Sequence, residues 1–317
     1  MDYRQLGESQ LKVSVIGIGT WAIGSDFYGR VDDKQSIKAL RQGMESGINL
    51  IDTAPAYGDG HSEEVVGKAI EGYRDRVIIA TKCGTYRQGK DFIRDLKPST
   101  IRKQLETSLS RLGVDTIDLY QIHWPDEDTP LSESVAELDK LKKEGKFRYL
   151  GVSNFDTELL SEIMEMTDIV SLQPQYSILN REIEDKILPF CRQHNLGIMA
   201  YGSLGGGILT GKYTDRNTPP QLDKDDRRTE FYPYFKQPYW EQVVDLVDLL
   251  KEIANKHSSP IAQVSLNWVR QQPGVTTALV GVKNEAQAKE NAAAGDWKLS
   301  ESELSSINEA YRRIFDK

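Results

Sequence analysis

The chain is arranged around one stretch, Asn49-Leu50-Ile51-Asp52-Thr53-Ala54-Pro55-Ala56-Tyr57-Gly58. It is a short apolar run that ends in a carboxylate, passes through a turn containing proline and delivers a tyrosine into a glycine-containing loop. A carboxylate at the end of a buried strand usually has a partner or a function. On these residues alone a simpler interpretation is favoured, in which Asp52 caps the next helix and Tyr57 packs as an aromatic plug.

Eight short β-rich runs alternate with longer helix-like segments along the chain. They follow a predicted hairpin that pairs 3–6 with 11–13, and they are 15–20, 49–52, 77–82, 117–123, 147–152, 169–173, 197–201 and 277–281. Segments such as 36–44 and 101–109 carry apolar residues three and four apart, which is typical of helices. Helix starts are predicted at Lys97-Pro98-Ser99 and at Ser300, where Glu303 completes a capping box for a final helix outside the repeat.

Nearly continuous apolar strands, each followed by a helix, predict a parallel sheet that is covered outside and closed on itself. We therefore expect an α/β fold, a TIM-type (β/α)8 barrel with an N-terminal β-hairpin and extra helices. A length of 317 residues is compatible with one barrel domain spanning 1–317. In this fold the active site lies at the C-terminal ends of the strands.

Composition excludes several classes of function. The formal net charge is -8, and Lys and Arg are spread along the chain, so nucleic acid or an anionic membrane is not an expected partner. Two cysteines, Cys83 and Cys191, are too few for a disulfide framework or a metal cage. Because neither a signal sequence nor a long apolar run is present, we expect a cytoplasmic protein.

Polar or aromatic residues close nearly every predicted strand. They are Thr20 and Trp21, Asp52, Lys82, His123, Ser153 and Asn154, Gln173, Tyr201 and, just beyond Gly281, Lys283. Taken alone, Lys82 could be a lysine that extends to solvent at the rim, and His123 a hydrogen-bonded core histidine. Charged groups at the ends of several apolar strands together favour a functional site over separate structural roles, because each of them needs a partner.

The residue types at these ends favour proton transfer by a tyrosine. A metal site would need converging His or Cys ligands, a serine nucleophile at Ser153 would need a G-x-S-x-G turn, and glycoside cleavage would need a second carboxylate. A phenol has a reference pKa near 10, so it needs a neighbouring cation, and Lys82 held by Asp52 fits. His123 is then available to orient a carbonyl oxygen. Reduction also requires a bound hydride donor.

A glycine-rich stretch after the seventh predicted strand suits that cofactor. Tyr201-Gly202-Ser203-Leu204-Gly205-Gly206-Gly207-Ile208-Leu209-Thr210-Gly211-Lys212 offers an aromatic face and backbone amides that can face a pyrophosphate. The Gly206 to Lys212 spacing imitates a P-loop, but Tyr213 stands where Ser or Thr should bind magnesium, so we reject that match. The alternative is a flexible lid.

These motifs together resemble the aldo-keto reductase superfamily over nearly the whole chain. The resemblance is carried by Gly17-Ile18-Gly19-Thr20-Trp21, the Ile51 to Gly58 stretch, Ala80-Thr81-Lys82, Asp118-Leu119-Tyr120-Gln121-Ile122-His123-Trp124-Pro125-Asp126 and Gly151-Val152-Ser153-Asn154-Phe155. It implies reversible NAD(P)H-dependent reduction of aldehydes and ketones. The implied catalytic tetrad is Asp52, Tyr57, Lys82 and His123, with Tyr57 as the acid in reduction and the base in oxidation.

The resemblance also implies a cofactor site. Its residues are Thr20 and Trp21, Ser153, Asn154 and Gln173 at the carboxamide, Tyr201 stacked on the ring, Gly202, Ser203, Leu204 and Lys212 at the pyrophosphate, and Gly281, Lys283, Gln287, Glu290 and Asn291 at the adenosine end. Lys283 is available for a 2'-phosphate, so NADP(H) is expected, with NAD(H) as an alternative. Gln287 departs from the arginine that many members carry, and a neutral amide pairs less strongly with phosphate. The alternative interpretation of Lys283 is a solvent-exposed lysine at the start of a helix, with no role in cofactor binding.

Substrates are expected to be small carbonyl compounds in an aromatic pocket. Trp21, Tyr57, His123 and Trp124, with Phe27 or Tyr28, would line it. The segment 212–239 has little secondary-structure signal. Its charged run 223–228 is interpreted as solvated, whereas aromatic residues 231–235 are expected either over the site mouth or against the outside of the barrel.

Two functions remain in view at the level of sequence. One is a carbonyl reductase, and the other is a regulatory subunit of the same fold that binds the dinucleotide and reports redox state. The complete set of four tetrad residues favours the enzyme.

Overall fold

The computed structural model describes residues 1–25, 27–29, 31–89 and 91–315. Its strands are β1 (Tyr3–Gln5), β2 (Lys12–Ser14), β3 (Ile16–Gly19), β4 (Leu50–Asp52), β5 (Ile78–Cys83), β6 (Thr85–Gln88), β7 (Asp91–Arg94), β8 (Ile117–Ile122), β9 (Phe147–Ser153), β10 (Ser171–Gln173), β11 (Gly197–Ala200) and β12 (Val275–Gly281). Eight of them close a parallel barrel in the order β3, β4, β5, β8, β9, β10, β11, β12. The predicted (β/α)8 barrel and the β1–β2 hairpin are confirmed.

Helices surround the barrel, and the amphipathic ones among them bury an apolar face toward it. They are α1 (Asp33–Glu45), α2 (His61–Ile70), α3 (Pro98–Leu112), α4 (Leu131–Lys143), α5 (Thr157–Met166), α6 (Ile187–Gln193), α7 (Arg228–Phe231), α8 (Trp240–Lys256), α9 (Ile261–Gln271), α10 (Glu285–Ala293) and α11 (Glu301–Phe315). Both predicted helix starts are observed. Pro98 is the first residue of α3, and Ser300 and Glu303 exchange hydrogen bonds between side chain and backbone at the start of α11.

The side chains inside the barrel form two layers along its axis. Because side chains alternate along a strand, Leu50, Ala80 and Leu119 point inward near the N-terminal end, and the residues two positions later point inward near the C-terminal end. The hairpin supplies Leu6 to the lower layer. Its Arg4 donates to Arg270 O and Val275 O at 2.7 and 2.6 Å. The N-terminal end of the barrel is therefore a packed apolar floor, and the inward-pointing polar residues lie at the C-terminal end.

Two segments differ from the sequence-based expectations. The hairpin of β6 and β7 was not predicted, because it is short and half polar. The charged run 223–228 is not merely solvated: the side chains of Asp226 and Arg228 are only 8% and 12% exposed and form an ion pair. The pair has a structural role, because Arg228 also donates a hydrogen bond to Gly206 O at 2.6 Å and so ties this run to the glycine-rich loop. None of the helices in the described ranges is both long and apolar enough to cross a membrane.

Candidate active site

A buried ion pair lies beneath a tyrosine hydroxyl at the polar end of the barrel. Asp52 ends β4 and Lys82 lies near the end of β5, which places Lys82 Nζ 2.7 Å from Asp52 Oδ2. The same ammonium donates to Thr53 O at 2.9 Å and to the Tyr57 hydroxyl at 3.2 Å. Burial lowers the pKa of Lys82, and the charge of Asp52 opposes that shift. The ammonium faces the phenol oxygen, a position from which a positive charge would favour the phenolate form.

Two glutamines complete the surroundings of Asp52. Gln173 Nε2 and Gln121 Nε2 donate to Asp52 Oδ1 at 2.8 and 3.1 Å. Gln121 was not predicted, although its parity with Leu119 and His123 along β8 was a signal that it points inward. Among the described residues no group donates to Gln173 Oε1, so this oxygen is available as an acceptor for an amide.

His123 stands on the other side of the tyrosine. Its ring centroid is 5.7 Å from that of Tyr57 in an edge-on arrangement. Burial and the nearby charge of Lys82 hold the pKa of His123 well below its usual value. Its Nδ1 is buried and has no hydrogen-bond partner among the described residues. The imidazole is therefore neutral near pH 7 and presents both a donor and an acceptor nitrogen.

Aromatic side chains border Tyr57 as expected. Trp21 stacks on Tyr57 at 6.1 Å and on Phe27 at 4.5 Å, and Tyr28 meets Trp21 edge-on at 5.3 Å. Phe231 meets Trp21 edge-on at 5.3 Å. Of the aromatic run 231–235, Phe231 thus lies at the mouth of the site, whereas Tyr234 packs against Tyr239 and Phe315 of α11, so both predicted placements occur. Trp124, next to His123, lies under the guanidinium of Arg94 at 4.8 Å.

Ser153, Asn154 and Tyr201 form a polar network beside Gln173. Asn154 Nδ2 donates to Ser153 Oγ at 3.0 Å and to His123 O at 3.1 Å, and its Oδ1 accepts from the Tyr201 hydroxyl at 3.0 Å. Asn154 has a φ of 61°, in the left-handed region that side chains rarely adopt. The network fixes the Tyr201 ring at the polar end of the barrel, where a planar ring can stack on it.

The glycine-rich loop follows β11 and has the backbone geometry of a concave turn. Gly202 has a φ of 70°, and Gly206 and Gly207 have φ of 69° and 96° inside residues 205–210. Ser203 Oγ donates to Ala200 O at 3.1 Å and Leu204 begins the turn. Lys212 lies just after the loop, with its Nζ 5.3 Å from the Tyr213 ring centroid. Such a loop with a nearby cation suits phosphate.

Lys283 lies among other cations at the end of β12. Burial, Arg228 and Lys212 all lower the pKa of Lys283, whereas Asp226 and Asp223 raise it. Three cations, Lys283, Arg228 and Lys212, thus stand near two carboxylates, Asp226 and Asp223, which leaves one positive charge in excess in this group. Lys283 Nζ donates to Tyr28 O at 3.0 Å. The structure thus links β12 to the loop after β3.

The remaining predicted residues divide into accessible and structural ones. Gln287 Oε1 accepts from Lys283 N at 2.9 Å, and Gly281 and Glu290 are exposed. Asn291 is buried and donates to Gly281 O at 3.4 Å. Thr20 is fully buried, and its hydroxyl donates to Asp52 O at 3.0 Å. Thr20 and Asn291 therefore support strand ends, and the structure does not bring the Thr20 side chain to the site surface.

A family model described as "Aldo/keto reductase family" matches residues 15–312. A solved glycerol dehydrogenase from Gluconobacter oxydans is 37% identical, with a TM-score of 0.90 over 100% of this chain and 97% of its own. A solved aldo/keto reductase from Klebsiella pneumoniae, in complex with NADP and acetate, is 32% identical, with a TM-score of 0.76 over 98% and 95%. An "NADH-specific methylglyoxal reductase" of Escherichia coli (strain K12) is 33% identical over 96% of both chains.

Proposed function

Because the chain belongs to the aldo/keto reductase family, and is thus an oxidoreductase that reduces carbonyl groups with NAD(P)H, we propose that Tyr57 is its proton donor. The observation that carries the proposal is the position of Lys82 Nζ, 2.7 Å from Asp52 and 3.2 Å from the Tyr57 hydroxyl. Asp52 holds the ammonium in place, and the ammonium stabilises the phenolate left after proton transfer. This gives the two charged residues different roles.

In reduction, the carbonyl oxygen lies between the Tyr57 hydroxyl and the imidazole of His123. The neutral imidazole donates one N–H to that oxygen and polarises the carbonyl without supplying a full charge. Tyr57 then gives its proton to the oxygen as the alkoxide forms, and the phenolate is stabilised by Lys82. In oxidation the same phenolate removes the proton from the alcohol. Trp21 and Phe231 cover the site and exclude water.

Residues at the other side of the site fit a nicotinamide dinucleotide. Gln173 Oε1 with Ser153 and Asn154 would hold the carboxamide, Tyr201 the ring, and 202–204 with Lys212 the pyrophosphate. Gly281, Gln287 and Glu290 would border the adenosine. When bound in its reduced form, the dinucleotide supplies the hydride. The left-handed glycines and the cations around Lys283 support this placement.

We propose NADP(H) as the preferred cofactor, with NAD(H) also accepted. The excess positive charge around Lys283 favours a 2'-phosphate, and the relative from Klebsiella pneumoniae was solved with NADP. The neutral side chain of Gln287 and the NADH specificity in the name of the Escherichia coli relative argue for NAD(H) instead. We place the protein in the cytoplasm, where two buried free cysteines remain reduced.

The proposal is tested with the Tyr57→Phe variant. We expect kcat for 4-nitrobenzaldehyde to fall by roughly two to four orders of magnitude, because general acid catalysis contributes about that much. Cofactor affinity, measured by fluorescence titration with NADPH and in parallel with NADH, should be unchanged and higher for NADPH.

Tyr73→Phe is the control, since the Tyr73 hydroxyl binds Glu45 away from the site. Retention of most activity in Tyr57→Phe would refute the assignment of the proton donor. Tight NADPH binding by the unmodified protein without turnover of any carbonyl compound would instead favour a regulatory role.

A further inference from the structure

An arginine stands at the rim of the substrate side with no assigned role. Arg94 ends β7, and its guanidinium carbon lies 4.8 Å from the centroid of the Trp124 ring. Trp124 directly follows His123 in the chain, so the guanidinium lies over the neighbour of the residue that we propose orients the carbonyl. Trp21 contacts Tyr57 from a different element of the mouth, and Phe231 packs on Trp21. Arg94 is therefore positioned to meet the part of a substrate that extends along Trp124.

Among the described residues Arg94 has no acidic partner, even though two carboxylates are close to it in sequence. Asp95 accepts from Lys97 N at 3.0 Å and from Thr100 Oγ1 at 2.8 Å. Asp126 accepts from Leu96 N at 2.9 Å and from Thr129 Oγ1 at 2.7 Å. Within the described ranges no carboxylate lies within 4.0 Å of the Arg94 guanidinium. In a protein of net charge -8, this leaves an exposed cation for an external anion.

The hairpin that carries Arg94 is tied by hydrogen bonds to the element that carries His123. Asp126 joins the end of the β6–β7 hairpin to the loop after β8 through its bond to Leu96 N. Ser134 Oγ donates to Leu96 O at 2.8 Å, and His123 N donates to Cys83 O at 3.0 Å. These bonds connect both ends of the hairpin to the element that carries His123 and Trp124. A substrate can therefore be selected by the distance between its carbonyl and its anionic group.

We propose that Arg94 is a specificity-determining residue that favours aldehydes and ketones carrying a carboxylate at the end remote from the reacting carbonyl. Stacking on an indole leaves the N–H edge of a guanidinium free, and that edge matches a carboxylate with two parallel hydrogen bonds. The inference rests on the proposed function, because it assumes that the carbonyl lies at Tyr57 and His123. It concerns which carbonyl compounds are selected among those the site can reduce.

The test compares two substrates of similar shape, 4-nitrobenzaldehyde and 4-formylbenzoate, of which only the second is charged. In Arg94→Gln we expect kcat/KM for 4-formylbenzoate to fall about tenfold through KM, in the range of a hydrogen bond to a charged group. The value for 4-nitrobenzaldehyde should change less than about twofold. Arg94→Lys should lie between, because it keeps the charge but not the two-pronged geometry.

Arg87→Gln is the matched control on the same face of the hairpin, where Arg87 lies over Phe92 and not over Trp124. This variant removes the same charge from a position that is not over Trp124. The ratio of the two kcat/KM values should therefore stay near that of the unmodified protein. An equal loss in both variants would overturn a direct contact and indicate only a general field from the hairpin. An unchanged ratio in Arg94→Gln would also overturn it.

A binding measurement separates this inference from the proposed function. Quenching of tryptophan fluorescence by 4-(hydroxymethyl)benzoate in the presence of NADPH requires no turnover. We expect affinity about tenfold lower in Arg94→Gln, with 4-methylbenzyl alcohol bound equally by both proteins. If the unmodified protein reduced no aldehyde, the proposed function would fail, while equal binding of the benzoate by both proteins would independently refute the role of Arg94.

Discussion

Asp52 is the residue on which the polar groups of the site converge. Its two oxygens accept from Lys82 at 2.7 Å, from Gln173 at 2.8 Å and from Gln121 at 3.1 Å, and the carboxylate is almost fully buried. A buried charge that loses its partner is strongly unfavourable, whereas a buried pair replaced as a whole by neutral groups is often tolerated. Stability therefore depends on both members of the pair together, and we propose that the pair is maintained because it serves the chemistry of Tyr57.

Removing only the acid should destabilise the protein. We expect Asp52→Asn to lower the free energy of unfolding by about 3 kcal/mol, because the ammonium of Lys82 remains buried without its counter-charge. Urea unfolding at pH 7 measures the change. The double variant Asp52→Asn with Lys82→Met should recover most of that stability while remaining inactive, and a double variant no more stable than the single one would contradict the argument.

The pairing of Asp52 with Lys82 could be predicted, because both are charged residues at the ends of neighbouring apolar runs. Gln121 could not be assigned in the same way, since it lies inside an apolar strand and its contact depends on the register of β8 against β5. The neutral state of His123 likewise follows from burial beside Lys82, which only the folded chain produces.

At the scale of elements, the glycine-rich loop and the segment that covers it are built to fit each other. A Cβ on Gly206 would lie 2.7 Å from the ring of Tyr232, which is buried at 2% exposure. Arg228, one turn before Tyr232, donates to the carbonyl of Gly206. The loop proposed to hold the pyrophosphate therefore depends on close contact with 228–232.

A methyl group at Gly206 should disturb that contact. We expect Gly206→Ala to lower the free energy of unfolding by at least about 2 kcal/mol, combining the left-handed φ with overpacking against Tyr232, and to weaken NADPH binding. The control is Gly72→Ala, where φ is 79° but nothing lies within 4 Å. The control should lose only about 1 kcal/mol in chemical unfolding. Equal losses would show that Tyr232 yields without strain.

The segment 212–239 was only partly accessible from sequence. Its aromatic residues indicated a buried surface, but hydrophobicity alone did not distinguish the mouth of the barrel from its outer wall. The burial of Arg228 was missed because a run of charges resembles a solvated loop until its hydrogen-bond partners are known.

At the scale of the whole molecule, the packed apolar floor and the proposed active site lie at opposite ends of the barrel. The floor contains Leu6, Leu11 and Val13 from the N-terminal segment, packed on Leu50 and Met199 of the lower layer. The polar end carries Asp52, Lys82 and Tyr57. This division follows from side-chain alternation along each strand, since one inward position lies near the floor and the next lies two residues higher.

Truncation of a floor residue should therefore affect stability without affecting chemistry. We expect Leu6→Ala to lower the free energy of unfolding by about 2–5 kcal/mol, because Leu6 is fully buried and its removal leaves a cavity. The kcat and KM for 4-nitrobenzaldehyde, measured well below the unfolding transition, should stay within about twofold of the unmodified protein. A large change in kcat would show that the floor and the site are coupled.

The sequence by itself determined the eight-stranded barrel, the N-terminal hairpin and which charged residues end its strands, because these depend on local periodicity and on residue type at strand ends. Tertiary structure alone decided that Gln121 contacts Asp52, that Arg94 lies on Trp124 and that Arg228 and Tyr232 close over the glycine-rich loop. Those contacts join residues far apart in the chain, and their geometry is set by strand register and by packing between loops, which no short pattern encodes.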